Sequence, residues 1–196
     1  MTAFGERPRS EPDGPDGPDR ARRPPRKVTP AYLQRAALAY LERYASSAEN
    51  LRRVLRRKVE KRCRLRDEDP SEFREAIDAV VAMSLRAGLL DDTRYAEARV
   101  ASLRRRGGSA RAIQAKLSAK GVDRTIVAAA LEAGDADEEA AAHALARRRR
   151  IGPFRPGERA AHRDKDMAVL ARAGFGYGLA RRVIDGEGPE GEGPKD

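Results

Sequence analysis

Apolar residues recur at helical spacing from residue 29 almost to the C-terminus. Leu33, Ala37, Leu41 and Tyr44, for example, fall on one face of a first helix, because residues three or four positions apart lie on the same side of an α-helix. Similar stripes follow along the chain, separated by turn and capping residues. The pattern predicts an all-α protein of nine helices.

Capping residues mark where these helices start. Thr29-Pro30 offers an N-cap followed by proline at the first helical position. Ser46 and Glu49 have the spacing of a capping box and predict a second start. Further starts are predicted at Asp69, at Asp91 or Asp92, and at Ser109, Asp123 and Asp135 with Glu138. Glycines predict stops at Gly88, Gly107, Gly121, Gly134 and Gly174.

The helices fall into sets of three that repeat. Ser47, Leu51, Leu55 and Lys58 stand 62 positions before Ser109, Ile113, Leu117 and Lys120, and Leu117 and Gly121 stand 53 positions before Leu170 and Gly174. These offsets favour an internal repeat over unrelated helices that share capping residues. The unequal periods predict unequal loops, notably a basic stretch over 59–66. Repeats this small must stack on one another, so we expect an elongated, curved body with a binding face.

The predicted organisation has five parts. Residues 1–28 are rich in proline, glycine and charge, and predict a disordered tail with a basic end. The three repeats are predicted over 29–90, 91–134 and 135–185. Residues 186–196 predict a flexible acidic tail.

The charge balance indicates what kind of partner to expect. The 196 residues carry a formal net charge of +10, which favours a polyanion or an acidic protein surface. No apolar stretch approaches the roughly 18 residues of a membrane span, so we expect no membrane contact. Cys63 has no second cysteine to pair with, which favours a cytoplasmic protein. We expect a monomer.

Catalytic patterns are missing from the sequence. It has no phosphate-binding P-loop, and its two histidines, His143 and His162, stand in no zinc-binding pattern. Asp91 and Asp92 form the one carboxylate pair to weigh, but adjacent helical residues do not face one another. Capping explains them better than a metal-dependent nuclease, which remains the alternative. We therefore expect no enzyme and no cofactor.

Three arginine clusters are the candidate binding chemistry, since arginine suits bidentate contact with phosphate or carboxylate. The last two also stand where helices end, and there a cation simply offsets the helix dipole. No aromatic residue is interleaved with them, so contacts to a nucleic-acid backbone are favoured over base stacking. The candidate residues are Arg52, Arg53, Arg56, Arg57, Arg104, Arg105, Arg106, Arg111, Lys116, Lys120, Arg147, Arg148, Arg149 and Arg150.

Two segments of the middle repeat carry a family resemblance. Residues 90–96 read Leu-Asp-Asp-Thr-Arg-Tyr-Ala, and residues 111–122 follow the spacing Arg-x-Ile-x-x-x-Leu-x-x-Lys-Gly-Val. This stretch resembles the central repeat of the RecX family, bacterial regulators of the recombinase RecA. The likeness extends more loosely over residues 30–185. It implies three tandem three-helix repeats, in agreement with the offsets.

The resemblance also implies a function that spacing alone does not give. RecX-like proteins bind the groove of the RecA filament on single-stranded DNA, need no cofactor, and restrain its ATPase, strand-exchange and coprotease activities. We therefore expect this chain to bind the RecA filament and, mainly through phosphates, single-stranded DNA. The alternative is a sequence-independent nucleic-acid-binding protein that competes for DNA.

Overall fold

The computed structural model describes residues 26–134 and 138–186. This part of the chain contains three short 3-10 helices, nine α-helices and no strand, so the predicted all-α fold is confirmed. The α-helices are α1 Pro30–Leu41, α2 Ala48–Arg64, α3 Arg74–Arg86, α4 Asp92–Arg105, α5 Ala110–Ala119, α6 Arg124–Ala133, α7 Glu138–Arg149, α8 Arg163–Arg172 and α9 Tyr177–Asp185. The predicted cap at Asp135 and most of both predicted tails lie outside the described residues.

Most helices begin where the capping residues predict. Thr29 Oγ1 accepts a hydrogen bond from the Tyr32 amide at 3.2 Å, and Asp123 caps α6 in the same way. The predicted cap at Ser46 is wrong by one residue: the Ser47 hydroxyl accepts from the Asn50 amide at 3.2 Å. Asp69 begins a 3-10 turn, Pro70–Phe73, which leads directly into α3.

Helix α2 is longer than the sequence predicts. Residues 59–66 are predicted as a basic loop, but α2 continues to Arg64. The helix continues because its apolar stripe continues. Val59 and Cys63 are fully buried and extend the stripe that Leu51 and Leu55 begin, at a constant spacing of four residues. Cys63 is therefore a core residue on the buried side of a charged helix.

Each successive group of three helices has its own hydrophobic core. The first core includes Val28, which is 4% exposed although the predicted tail reaches residue 28. The second lies among α4, α5 and α6, and the third among α7, α8 and α9. On α3, Ile77 and Val80 are buried in the first core, whereas Leu85 is 43% exposed.

The groups are joined by a hydrogen bond that occurs twice. Ser47 Oγ, at the start of α2, donates to the Lys120 carbonyl at the end of α5, at 2.5 Å. Ser109 Oγ, at the start of α5, donates to the Ala173 carbonyl at the end of α8, at 2.6 Å. Both serines are fully buried. Donors and acceptors follow the offsets of 62 and 53, so the junction repeats with the sequence.

An acidic side chain completes each junction. The Ala48 amide donates to Asp92 Oδ1 at 2.8 Å, and the Ala110 amide donates to both carboxylate oxygens of Glu138 at 3.1 Å. Asp91 caps α4 by accepting from the Arg94 amide at 2.9 Å. The adjacent carboxylates thus cap two helices, Asp91 its own and Asp92 that of the preceding repeat.

Close approach at the first junction requires a glycine. Gly121 has a φ of +74°, and a Cβ atom added there would lie 2.3 Å from Glu49 Cγ. Any larger residue would push α2 away from the end of α5.

The two ends of the array differ from its inner junctions. The position that follows Ser47 and Ser109 at the same offsets is His162, which precedes α8 and makes no side-chain capping bond. At the other end, Lys58 is equivalent to Lys120, but α2 continues past it by about two turns.

Candidate functional site

The first arginine cluster lies on α2 and divides into two pairs. Arg52 binds within its own repeat, with Nε 2.6 Å from Asp78 Oδ1 and a terminal nitrogen 2.6 Å from Glu49. Arg53 donates to Glu49 and, at 2.7 Å, to the Ala119 carbonyl. Burial raises the pKa of Glu49, but the hydrogen bonds from both arginines outweigh it and lower the pKa below its usual value. These two arginines therefore hold α2 in place.

The other two arginines of this cluster face solvent. Arg56 and Arg57 are exposed, and the structure gives them no salt bridge with any carboxylate of the described residues. Together with Lys120 they line a groove of about 400 Å³ at the first junction, here called the α2–α5 groove. Its lining residues are Asn50, Arg53, Arg56, Arg57, Ala119 and Lys120.

The second cluster also divides. Arg104 is predicted to face a partner, but it is only 6% exposed. Its guanidinium forms an ion pair with Glu138 and donates to the Gly108 carbonyl at 3.2 Å. Because Glu138 also accepts from the start of α5, Arg104 completes the second junction. Arg105 and Arg106 are exposed and make no described salt bridge.

The fold brings the second and third clusters together. A terminal nitrogen of Arg148 donates to the Arg106 carbonyl at 2.6 Å. The contact depends on Gly107, whose φ is +76° and whose added Cβ atom would lie 2.6 Å from the Leu145 amide nitrogen. The end of α4 thus lies directly against α7.

A second groove lies at this contact, here called the α4–α7 groove. It has a volume of about 680 Å³ and is lined by Arg105, Ala140, His143, Ala144, Arg147, Arg148 and Phe154. The Arg147 guanidinium carbon lies 5.2 Å from the centroid of the Phe154 ring. His143 meets that ring edge-on, with centroids 6.4 Å apart and planes at 89°.

Phe154 is a residue of this site that the arginine pattern does not predict. No aromatic residue stands within the arginine clusters, and Phe154 follows the third cluster only after a break. A 3-10 turn, Gly152–Phe154, reverses the chain and returns the ring to α7. The segment Ile151-Gly152-Pro153-Phe154 was the available signal, since glycine and proline together mark a tight turn.

Comparison with known proteins identifies the family. A Myxococcus xanthus protein named Regulatory protein RecX is 45% identical over 171 residues, which cover 85% of this chain and 91% of that protein. The chain belongs to the RecX family. Relatives of the same name are 31% identical over 157 residues in Agrobacterium fabrum (79% of this chain, 82% of the relative) and 33% over 162 residues in Stenotrophomonas maltophilia K279a (83% and 89%).

A family model described as RecX, second three-helix domain, matches residues 91–131. These residues contain α4, α5 and most of α6, together with all but the first residue of the two segments on which the resemblance rests. The resemblance is therefore confirmed, and the chain is a RecX-type regulator.

The remaining candidate cations of this RecX chain lie apart from the two grooves. Arg111 lies at the second junction, with Cβ 3.4 Å from where a Cβ atom on Gly174 would stand. Lys116 is exposed on α5. Arg149 lines a smaller depression with Arg172, and Arg150 directly follows α7 with a φ of +53°.

Residues 26–134 and 138–186 contain no cluster of three or more histidine, cysteine, aspartate or glutamate side chains placed to hold a metal ion. In the same ranges no helix has both the length and the apolar character to cross a membrane.

Proposed function

We propose that this RecX protein binds the RecA filament on single-stranded DNA and restrains its ATPase, strand-exchange and coprotease activities. The observation that carries the proposal is a set of exposed cations at both repeat junctions with no carboxylate partner among the described residues. The relatives that align with most of this chain are named regulatory proteins. Their name supports regulation of a partner rather than catalysis.

The cations assigned to this contact are exposed residues of the two grooves, together with the exposed Arg106, whose carbonyl accepts a hydrogen bond from Arg148 beside the α4–α7 groove. Unpaired guanidinium groups favour an anionic partner, because arginine offers five N–H donors and a permanent charge. Arg52, Arg53 and Arg104 are assigned to the fold, since their donors are used internally. Arg111, Lys116, Arg149 and Arg150 stay predicted contacts. The assigned set is Arg56, Arg57, Lys120, Arg105, Arg106, Arg147 and Arg148.

The proposal is tested by titrating the protein into RecA from the same organism during DNA-dependent ATP hydrolysis. Sub-stoichiometric amounts should slow hydrolysis. For the double variant Arg56→Ala/Arg57→Ala, the concentration that gives the same slowing should be at least about tenfold higher. This corresponds to a loss of at least roughly 1.4 kcal/mol of binding free energy. Absence of slowing by the wild type at every ratio contradicts the proposal.

A charge-matched control keeps this test specific. Arg86→Ala/Arg124→Ala also removes two exposed arginines, but both lie outside the grooves. It should slow hydrolysis nearly as well as the wild type. Equal loss in both double variants would mean that net charge alone governs binding.

The runner-up function, competition for DNA, makes a different prediction. A plain DNA-binding protein should bind bare single strands as tightly as the filament, and its log affinity should fall with log salt by about 0.7 per phosphate contact. Weak binding to bare DNA beside strong binding to the filament excludes it.

A further inference from the structure

We propose that the α4–α7 groove binds one unstacked nucleotide of single-stranded DNA, with the base against Phe154 and a phosphate at Arg105 and Arg148. The inference deepens the proposed function and rests on it for the source of the strand. The site itself is defined by charge, by an apolar floor and by size, and it is testable without RecA.

The charge of the groove favours an anion. Arg105, Arg147 and Arg148 all line it, and within the described ranges none of them forms a salt bridge. Arg148 is held by its bond to the Arg106 carbonyl, which uses one of its five donors and leaves the others for a ligand. Phosphate oxygens match such donors, because charge-assisted hydrogen bonds from arginine to phosphate are short and strong.

The floor of the groove favours a base. Ala140 and Ala144, one helical turn apart on α7, expose little more than methyl groups, and the Phe154 ring stands beside them. The Arg147 guanidinium and the His143 ring both lie close to the Phe154 ring. Bases splayed out of a strand stack on aromatic rings and on guanidinium planes. An acidic peptide would engage the arginines but would make no use of the two alanines and the Phe154 ring.

The size of the groove fits one nucleotide. A groove of this size is also easily filled by a larger side chain. A volume of about 680 Å³ lies within the range of roughly 300–1,000 Å³ that is usual for small-ligand sites. Because the floor consists of alanines, a longer side chain there would occupy the space of the base and remove no charge.

The first experiment compares two probes of equal length and charge: a thymidine oligonucleotide and an abasic oligonucleotide with the same phosphodiester backbone. The wild type should bind the thymidine strand about five- to 150-fold more tightly, which corresponds to the 1–3 kcal/mol typical of one stacked base. Equal affinity for the two probes overturns the inference.

Variants that fill the groove test whether the difference in affinity between the two strands arises there. Ala140→Leu should bind the thymidine strand no more tightly than the abasic strand, and Phe154→Leu, which keeps an apolar side chain without a ring, should behave likewise. Ala129→Leu, at an exposed position of α6, should keep the full difference. A difference that survives in Ala140→Leu and Phe154→Leu places the base elsewhere and contradicts the assignment.

A spectroscopic probe is available because the chain contains no tryptophan. In the Phe154→Trp variant, the thymidine strand should quench the single tryptophan, and neither the abasic strand nor a polyglutamate peptide should do so. Tyr177→Trp, at a side chain 71% exposed on α9, should show little quenching. Equal quenching of Phe154→Trp by polyglutamate would identify an acidic-peptide site instead.

The two proposals fail in different ways. If Phe154→Leu and the wild type slow RecA equally and neither prefers the thymidine strand, the nucleotide site is wrong and the regulatory function stands. If the thymidine preference is present and depends on Phe154, but the wild type never slows RecA, the regulatory function is wrong and the nucleotide site stands.

Discussion

Asp166 shows how one charged residue stabilises the third repeat. The residue is 1% exposed, and its carboxylate accepts hydrogen bonds from the Gly152 amide and from Arg155 Nε, both at 2.9 Å. Burial raises the pKa of Asp166, but the bonds from Arg155 and Gly152 outweigh it and leave the pKa below the ordinary 3.8. The ionised form therefore stabilises the turn that positions Phe154.

The lowered pKa predicts how stability depends on pH. A carboxyl group whose folded pKa is depressed stabilises the fold above its unfolded pKa and loses that contribution as the pH falls through the folded value. Asp166→Asn should lower the free energy of unfolding at pH 7 by about 1–3 kcal/mol, since Arg155 loses its partner. Thermal melts should show that the difference in stability between the wild type and Asp166→Asn becomes smaller below pH 3.8. A gap constant with pH would contradict the assignment.

At the scale of the helix, Arg104 links the end of α4 to the starts of α5 and α7. Its side chain is 7% exposed, whereas the neighbouring Arg105 faces solvent. Arg104→Ala should lower the free energy of unfolding by about 1–3 kcal/mol, less than for a fully buried pair, because Glu138 stays 33% exposed and keeps the Ala110 amide.

The adjacent arginine provides the control. Arg105→Ala should change the free energy of unfolding by no more than about 0.5 kcal/mol, as is usual for surface substitutions, while reducing the affinity for DNA. Urea denaturation of both variants checks whether Arg104 stabilises the fold and Arg105 does not. Equal destabilisation would place Arg105 in the junction as well.

The sequence predicts those elements whose causes are local. Thr29, Asp123 and Gly88 act on their own helices, so a capping pattern suffices to place them. It fails where the partner is distant in sequence. Arg104 is indistinguishable from Arg105 until the position of Glu138 is known, and Phe154 approaches the arginines only after the chain has reversed.

At the scale of the whole molecule, the repeated junction couples one three-helix unit to the next. In tandem repeats, stability is roughly the sum of unit and interface contributions. Ser109→Ala removes a helix cap, worth about 0.5–2 kcal/mol, together with the bond to Ala173 in the third unit. Relative to the wild type, the hydrogen-exchange rates of amides in α7–α9 should then rise more than those of amides in α1–α3.

Asp123→Ala is the matched control, because Asp123 caps α6 and its described bonds are to its own repeat. Hydrogen exchange should rise mainly in α4–α6. A uniform rise over all three units in Ser109→Ala would mean that the molecule opens as one block.

The ends of the array have a consequence for how such a protein changes length over evolution. The middle unit carries both halves of the junction, the donor Ser109 and the acceptor carbonyl of Lys120, so its duplication would insert a compatible copy. Loss of the third unit would instead leave Ser109 and the Ala110 amide unmatched in the open. From these contacts we expect the fold to accept a duplicated middle unit more readily than the loss of its third unit.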